Sequence, residues 1–268
     1  MKISILTPNF NGERYLEPML DSVGRQRRDG VDLEWIVVDG GSTDRSLDIL
    51  RGRGSEIDRI LSEPDRGPAS AINKGLALAR GDLLGWLNAD DLYHPGALAR
   101  VCRAFSEHPD RALGFGGCRI IDESGVEIRK EITRFKAAFH PFSCRFLIQS
   151  INYVSQPAMF FRRTAWEKAG PLREDLKAAF DYEFLLRLWR QGGAFRIPGP
   201  PLADFRWHPN SISGSGFQNQ FREELEAARQ DAGRWAPQVL IHEIVRLGIV
   251  GCYSRMAARR RPFPEVEK

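Results

Sequence analysis

Residues 2–41 read KISILTPNFNGERYLEPMLDSVGRQRRDGVDLEWIVVDGG. Two apolar, β-branched runs, 2–8 and 33–39, each end at polar residues, which is the pattern of parallel strands buried on both faces. Between them Tyr15, Leu16, Met19, Leu20 and Val23 recur at helical spacing after Asn11 and Gly12, so the order is strand, loop, helix, strand. This is a βαβ unit. The alternation continues, with a helix expected over 43–51, a strand over 57–62, a helix over 70–80, a strand over 82–88 and a helix over 95–107 opened by Pro95. Strands alternating with helices predict a doubly wound α/β sheet.

Farther along, 113–121 and 127–132 read as a hairpin around Asp122 to Gly125, where the sheet is expected to become mixed. Residues 133–150 have no clear period and contain Pro141, so a loop or short helices are expected. A strand over 156–162, a helix over 179–191 and short strands over 195–197 and 203–207 follow. The segment 209–219, with Gly214 and Gly216 among Ser and Asn, reads as a mobile loop. No internal repeat or low-complexity tract is present.

The chain has 268 residues, 42% hydrophobic and 28% charged, a composition that excludes disorder over most of its length. Cys102, Cys118, Cys144 and Cys252 are far apart and form no C-x-x-C pair, so a reducing compartment is the simpler expectation. The start lacks the apolar length of a signal peptide, which predicts a cytoplasmic protein. Val239 to Tyr253 is apolar but interrupted by His242, Glu243 and Arg246, so no bilayer crossing is expected. A net charge of +4 does not choose among anionic partners.

In open α/β sheets ligands sit beyond the carboxyl ends of the strands. Thr7 to Asn11, Asp39 to Ser42, Asp65 to Gly67, Asn88 to Asp91 and His208 all follow strands. Asp39, beside two glycines, can accept hydrogen bonds from a base or ribose, or it can cap the helix over 43–51. Gly40-Gly41 does not match the dinucleotide fingerprint G-x-G-x-x-G, which disfavours a nicotinamide cofactor. Asn88-Ala89-Asp90-Asp91 gathers hard oxygen ligands suited to Mg²⁺ or Mn²⁺; the alternative is a solvated turn.

In combination and in order, the TPNFN segment, IVVDGGSTD, EPDRGPASAINKGLALARGD, WLNADDLYHPGAL, QPAMFFRR and FDYEFLLRL resemble the family 2 glycosyltransferases of GT-A fold, over residues 2 to about 215. The resemblance implies a Rossmann-like mixed sheet flanked by helices, a nucleotide-sugar donor, a divalent metal (Mn²⁺ or Mg²⁺) at a D-x-D-type motif, and inversion at the anomeric carbon. Residue by residue, it implies that Thr7, Pro8 and Asn9 lie beside the nucleoside with Glu13 near, that Asp39 recognises the base, and that Asp65 and Arg66 face base and diphosphate. Asn73 and Lys74 fall on the next helix as further donor contacts. The D-x-D-type motif maps to Asn88-Ala89-Asp90. Asn replaces the family's commoner first Asp, so the metal falls chiefly to Asp90, with His208 approaching metal or diphosphate. Asp181 matches the catalytic base; it can equally cap its helix, and Glu183 is the fallback.

The implied acceptor is a glycan or lipid-linked saccharide in envelope polysaccharide synthesis, with residues 133–155 as its least readable region. Nucleic acid is not an expected partner. We divide the chain into a catalytic domain, 1–215, and a helical extension, 216–268. In the extension apolar residues are interspersed with Arg246 before Arg255, Arg259, Arg260 and Arg261. Such a basic amphipathic helix can lie on an anionic inner membrane face, pack on its own domain, or meet a second copy in a homodimer. A sugar nucleotidyltransferase is an alternative, but it should carry a glycine-rich basic loop that TPNFNGERY lacks. A non-catalytic nucleotide-sugar-binding scaffold is the alternative from another class, with Asn88 as its hint.

Overall fold

The computed structural model describes residues 1–209, 211 and 217–259. Most of the loop expected over 209–219, together with Arg260 and Arg261, lies outside the described residues. The opening unit forms as expected: β1 (Ile3–Asn9), α1 (Glu13–Arg28) and β2 (Leu33–Asp39). Every residue of both strands is buried, as strands covered on both faces require. Next come α2 (Ser46–Gly52), β3 (Arg59–Ser62), α3 (Pro68–Leu78), β4 (Leu83–Trp86), β5 (Leu92–Tyr93), α4 (Ala97–Glu107), β6 (Leu113–Phe115) and β7 (Cys118–Ile121).

The second half holds β8 (Glu127–Ile128), α5 (Lys130–Phe139), α6 (Arg145–Ser150), β9 (Met159–Arg162), α7 (Arg163–Ala169), α8 (Phe180–Trp189), β10 (Ala194–Arg196) and β11 (Ala203–Arg206). Two helices follow, α9 (Phe217–Ala232) and α10 (Pro237–Arg259). The main sheet has the order β10-β6-β9-β4-β1-β2-β3, and a smaller one runs β5-β11-β7-β8. Only β9 is antiparallel to its neighbours in the main sheet.

Two expectations needed correction. The strand expected over 113–121 is two strands in different sheets, broken at Gly116 and Gly117. A Cβ on Gly116 would sit 2.4 Å from Leu202 Cδ1, so glycine there lets the chain pass close and change sheets. The partner strand stops at Ile128 because Arg129 adopts a left-handed φ of 52°, its guanidinium stacked 4.2 Å from the Trp207 ring. The chain then turns into α5 instead of continuing to 132.

Side-chain alternation divides the core between the sheet's two faces. Ile3, Ile5, Trp35, Val37 and Phe160 pack with Leu16, Met19 and Leu20 of α1 and with α4. Leu6, Ile36, Val38, Trp86 and Phe161 pack on the other face with Ile72 and Leu76 of α3 and with Phe184 and Leu188 of α8. Leu225, Ala228 and Val239 belong to that second cluster, so α9 and the start of α10 are continuous with the core.

Candidate active site

Strand register builds the first part of the site. Asn9 pairs with Asp39, and Asp39 with Ser62, which sets three polar residues in a row across the carboxyl edge. Asp39 is fully buried and takes bonds from five donors. Asn9 Nδ2 donates at 2.7 Å, Ser62 Oγ at 2.9 Å, the Ser42 and Gly41 amides at 3.0 and 3.1 Å, and Ser42 Oγ as well. Burial works against its charge, but the donors prevail and hold the carboxyl below its ordinary range. Beside it, Asn9 Oδ1 is buried without a partner. A Cβ on Gly40 would lie 2.6 Å from Asp65 Oδ2, so Asp39, Gly40 and Asp65 form one wall, with Asp65 Oδ1 held by the Gly67 amide at 2.7 Å.

Other residues expected here have different partners. The Thr7 hydroxyl turns beneath the sheet, where Trp35 Nε1 donates to it at 3.1 Å. Pro8 lies inside β1 opposite Val38. Glu13 accepts from the Arg45 amide at 2.8 Å and so ties α1 to the turn before α2. Arg66 is exposed and pairs with Glu174 at 2.6 Å. Asn73 binds the Leu172 backbone at both ends, 2.9 Å to its carbonyl and 2.8 Å from its amide. Lys74 is anchored to Glu63 at 2.7 Å and to the Pro64 carbonyl at 3.1 Å.

The second part follows β4. His208 Nε2 lies 3.0 Å from Asp90 Oδ2, the two residues expected to share a cation. Two neighbouring ligands each about 2.1 Å from a cation span roughly 3 Å, so the pair fits one. Among the described residues no third His, Cys, Asp or Glu joins them; the remaining ligands would be water and diphosphate, as Mg²⁺ and Mn²⁺ prefer. Asn88 Nδ2 donates to Asp91 Oδ2 at 3.0 Å and to Gln156 Oε1 at 3.2 Å. Asp91 is fully buried; burial first, then the adjacent Asp90 charge, push it well above the usual carboxylate range.

Gln156 leads to the third part, since with Asn152, Val154, Met159, Asp181, Tyr182 and Leu185 it lines a narrow cleft with room for about one water or one hydroxyl. Asp181 sits in the first turn of α8 but is not its cap, a position held by Ala179. Burial, and then the charge of Glu224, raise Asp181 to about 6. Glu183 is instead ion-paired with Arg187 at 2.8 Å. Residue patterns missed Ser62, Gln156, Asn152 and Glu224 as site residues, whereas Ser42 stood in the segment after the second strand. Of the four, Gln156 had a signal, as the first residue of the QPAMFFRR block; Glu224 reads as the solvated face of a helix.

Comparison with known proteins identifies the family and the fold. Residues 4–170 match the profile described as Glycosyl transferase family 2. The chain is 34% identical over 191 residues to the O-antigen biosynthesis protein RfbC of Myxococcus xanthus, covering 69% of this chain and 14% of that protein. It is 33% identical over 188 residues to a PGL/p-HBAD biosynthesis glycosyltransferase of Mycobacterium tuberculosis, covering 69% of this chain and 68% of that one. Among solved structures, S. aureus TarS 1-349 in complex with UDP-GlcNAc superposes with a TM-score of 0.69 at 17% identity, over 87% of this chain and 66% of that one. Mannosyltransferase PcManGT from Pyrobaculum calidifontis, in complex with GDP-Man and Mn²⁺, gives 0.65 at 18% identity, over 98% and 76%. The chain thus spans a small part of RfbC and about two thirds of TarS 1-349. The fold is that of the GT-A glycosyltransferases, and by profile and identity the chain belongs to glycosyl transferase family 2.

Proposed function

We propose that the chain is an inverting transferase that moves a sugar, from a UDP-sugar in the first instance, to a hydroxyl of a glycan or lipid-linked saccharide in envelope polysaccharide synthesis. The observation that carries this reading is the placement of Asp181. A half-buried carboxylate raised to about 6 lines a cleft whose wall, Gln156, is bonded to Asn88 beside the Asp90–His208 pair. An acceptor hydroxyl seated there gives its proton to Asp181 as its oxygen attacks the anomeric carbon opposite the leaving diphosphate. One displacement inverts the configuration. A base with a pKa just below neutral is mostly ionised at pH 7 and still basic enough for the transfer.

The nucleoside would lie against Asn9, Gly40 and Asp65, and a direct base contact by Asp39 requires the base to displace one of its five donors. A divalent cation held by Asp90 and His208 would neutralise charge on the departing diphosphate. UDP-GlcNAc in TarS and GDP-Man in PcManGT support a nucleoside diphosphate-sugar. The names of RfbC and of the mycobacterial relative support a polysaccharide or glycolipid acceptor.

The membrane reading of the extension has its own observation. Trp235, Leu240, Ile241, Ile244 and Leu247 are exposed, while Val239 and His242 on the opposite side of α10 are buried. No helix among the described residues is long and apolar enough to cross a membrane. We therefore place α10 at the inner membrane surface of a cytoplasmic enzyme; a second copy is the competing occupant.

With water taking the place of the acceptor hydroxyl, Asp181→Asn should cut hydrolysis of UDP-GlcNAc to UDP, or of GDP-mannose to GDP, by roughly 10²- to 10⁴-fold and leave nucleotide binding intact. Release undiminished in the variant would move the base elsewhere, and none from the wild type would favour the scaffold.

A further inference from the structure

Helix α9 stands behind Asp181 and brings two adjacent glutamates that the transfer chemistry does not use. Glu223 accepts from the amides of Lys177, Ala178 and Ala179 at 3.3, 2.9 and 3.0 Å, the residues that lead into α8. Ala179 occupies the cap position and has no side chain that can cap; Glu223 from another helix holds the backbone that leads into α8 and sets a negative charge near that helix's N-terminus. Glu224 is only 4% exposed. Its Oε1 accepts from Asn152 Nδ2 at 3.1 Å and from Gln220 Nε2 at 3.2 Å. Asn152 lines the cleft with Asp181, and its Oδ1 is buried without a partner.

Burial raises Glu224 as well, against the bonds from Asn152 and Gln220, and the Lys136 charge from α5 lowers both carboxylates. A half-buried Asp181 facing the charge of the buried Glu224, partly balanced by one lysine, is costly for a fold, and such arrangements are frequent in functional sites.

We propose that Glu223 and Glu224 are positioning residues for Asp181, Glu223 fixing the turn that presents the base and Glu224 setting its charge environment and holding Asn152 at the cleft. This rests on Asp181 being the base, and it makes α9 part of the catalytic centre.

The test is a ¹³C-carboxyl NMR titration of the full chain, with the Asp181 signal identified by its loss in Asp181→Asn. In Glu224→Gln the Asp181 midpoint should fall by roughly half a unit or more, and the acid limb of nucleotide release from UDP-GlcNAc or GDP-mannose should move with it. Glu224→Asp should stay near wild type. Glu223→Gln should lower kcat several-fold at unchanged UDP or GDP affinity. A folded Glu224→Gln with an unmoved Asp181 midpoint overturns the proposal. Full transfer by Asp181→Asn would instead sink the base reading while the coupling stayed visible in the titration.

Discussion

Asn88 stands first in the segment that resembles a D-x-D motif, and its surroundings fit an amide there. Its amide donates to Asp91 and to Gln156, and both partners present acceptor oxygens. An aspartate would set an oxygen against each and add a negative charge beside Asp90 and the buried Asp91. We expect Asn88→Asp to cost about 1 to 3 kcal/mol, read as a lower melting temperature at pH 7.5, with part of the loss recovered by Mn²⁺. A variant as stable as wild type without metal would show that these bonds do not matter. Thr7 carries the opposite lesson. Period-two alternation sets it on the same face as Ile3 and Ile5, so its core-facing hydroxyl was legible in the sequence, whereas the motif resemblance drew it to the ligand.

At the scale of elements, α1 and the strands 33–39 and 82–88 were legible because buried parallel strands are continuous apolar runs and a surface helix has a stripe. The break at Gly116 and the turn at Arg129 were not, since each is decided by a distant partner, Leu202 in one case and Trp207 in the other. Asp39 could be chosen from its position after a strand, but its donors Asn9 and Ser62 are fixed by register between strands. Likewise Asn73 looked like a site residue until the loop at Leu172 took both ends of its amide. Helix α10 makes a prediction at this scale. Leu240→Glu with Ile244→Glu should abolish flotation with phosphatidylglycerol-containing vesicles and leave the melting temperature within about 2 °C, because both side chains are exposed. Loss of a dimer in light scattering, with flotation unchanged, would assign the face to a second copy.

For the whole molecule, the base is a burden on stability. Asp181 titrates at about 6 in the fold, against roughly 3.9 in an unfolded chain. Below about pH 4 both states are protonated and the penalty is absent; above about pH 6 both are ionised and it is complete. Stability from this group therefore falls as pH rises between those limits. Asp181→Asn should be more stable than wild type at pH 7.5 by up to about 3 kcal/mol, read as a higher melting temperature, with the advantage fading toward pH 4. An equal or lower melting temperature at pH 7.5 would mean that the carboxylate is not strained.

The donor site is tested most directly by thermal melts of wild type and Asp90→Ala with UDP, GDP, TDP or CMP, each in Mn²⁺, Mg²⁺ or EDTA. A ligand at roughly 100-fold over its Kd adds about 2.7 kcal/mol, or about 5 to 10 °C for a chain of this size. We expect one nucleoside diphosphate to raise the wild-type melting temperature with metal, and the shift to vanish in EDTA and in Asp90→Ala. No shift with any nucleotide, or one indifferent to EDTA and to Asp90, would contradict a metal-assisted nucleotide-sugar site at this edge of the sheet.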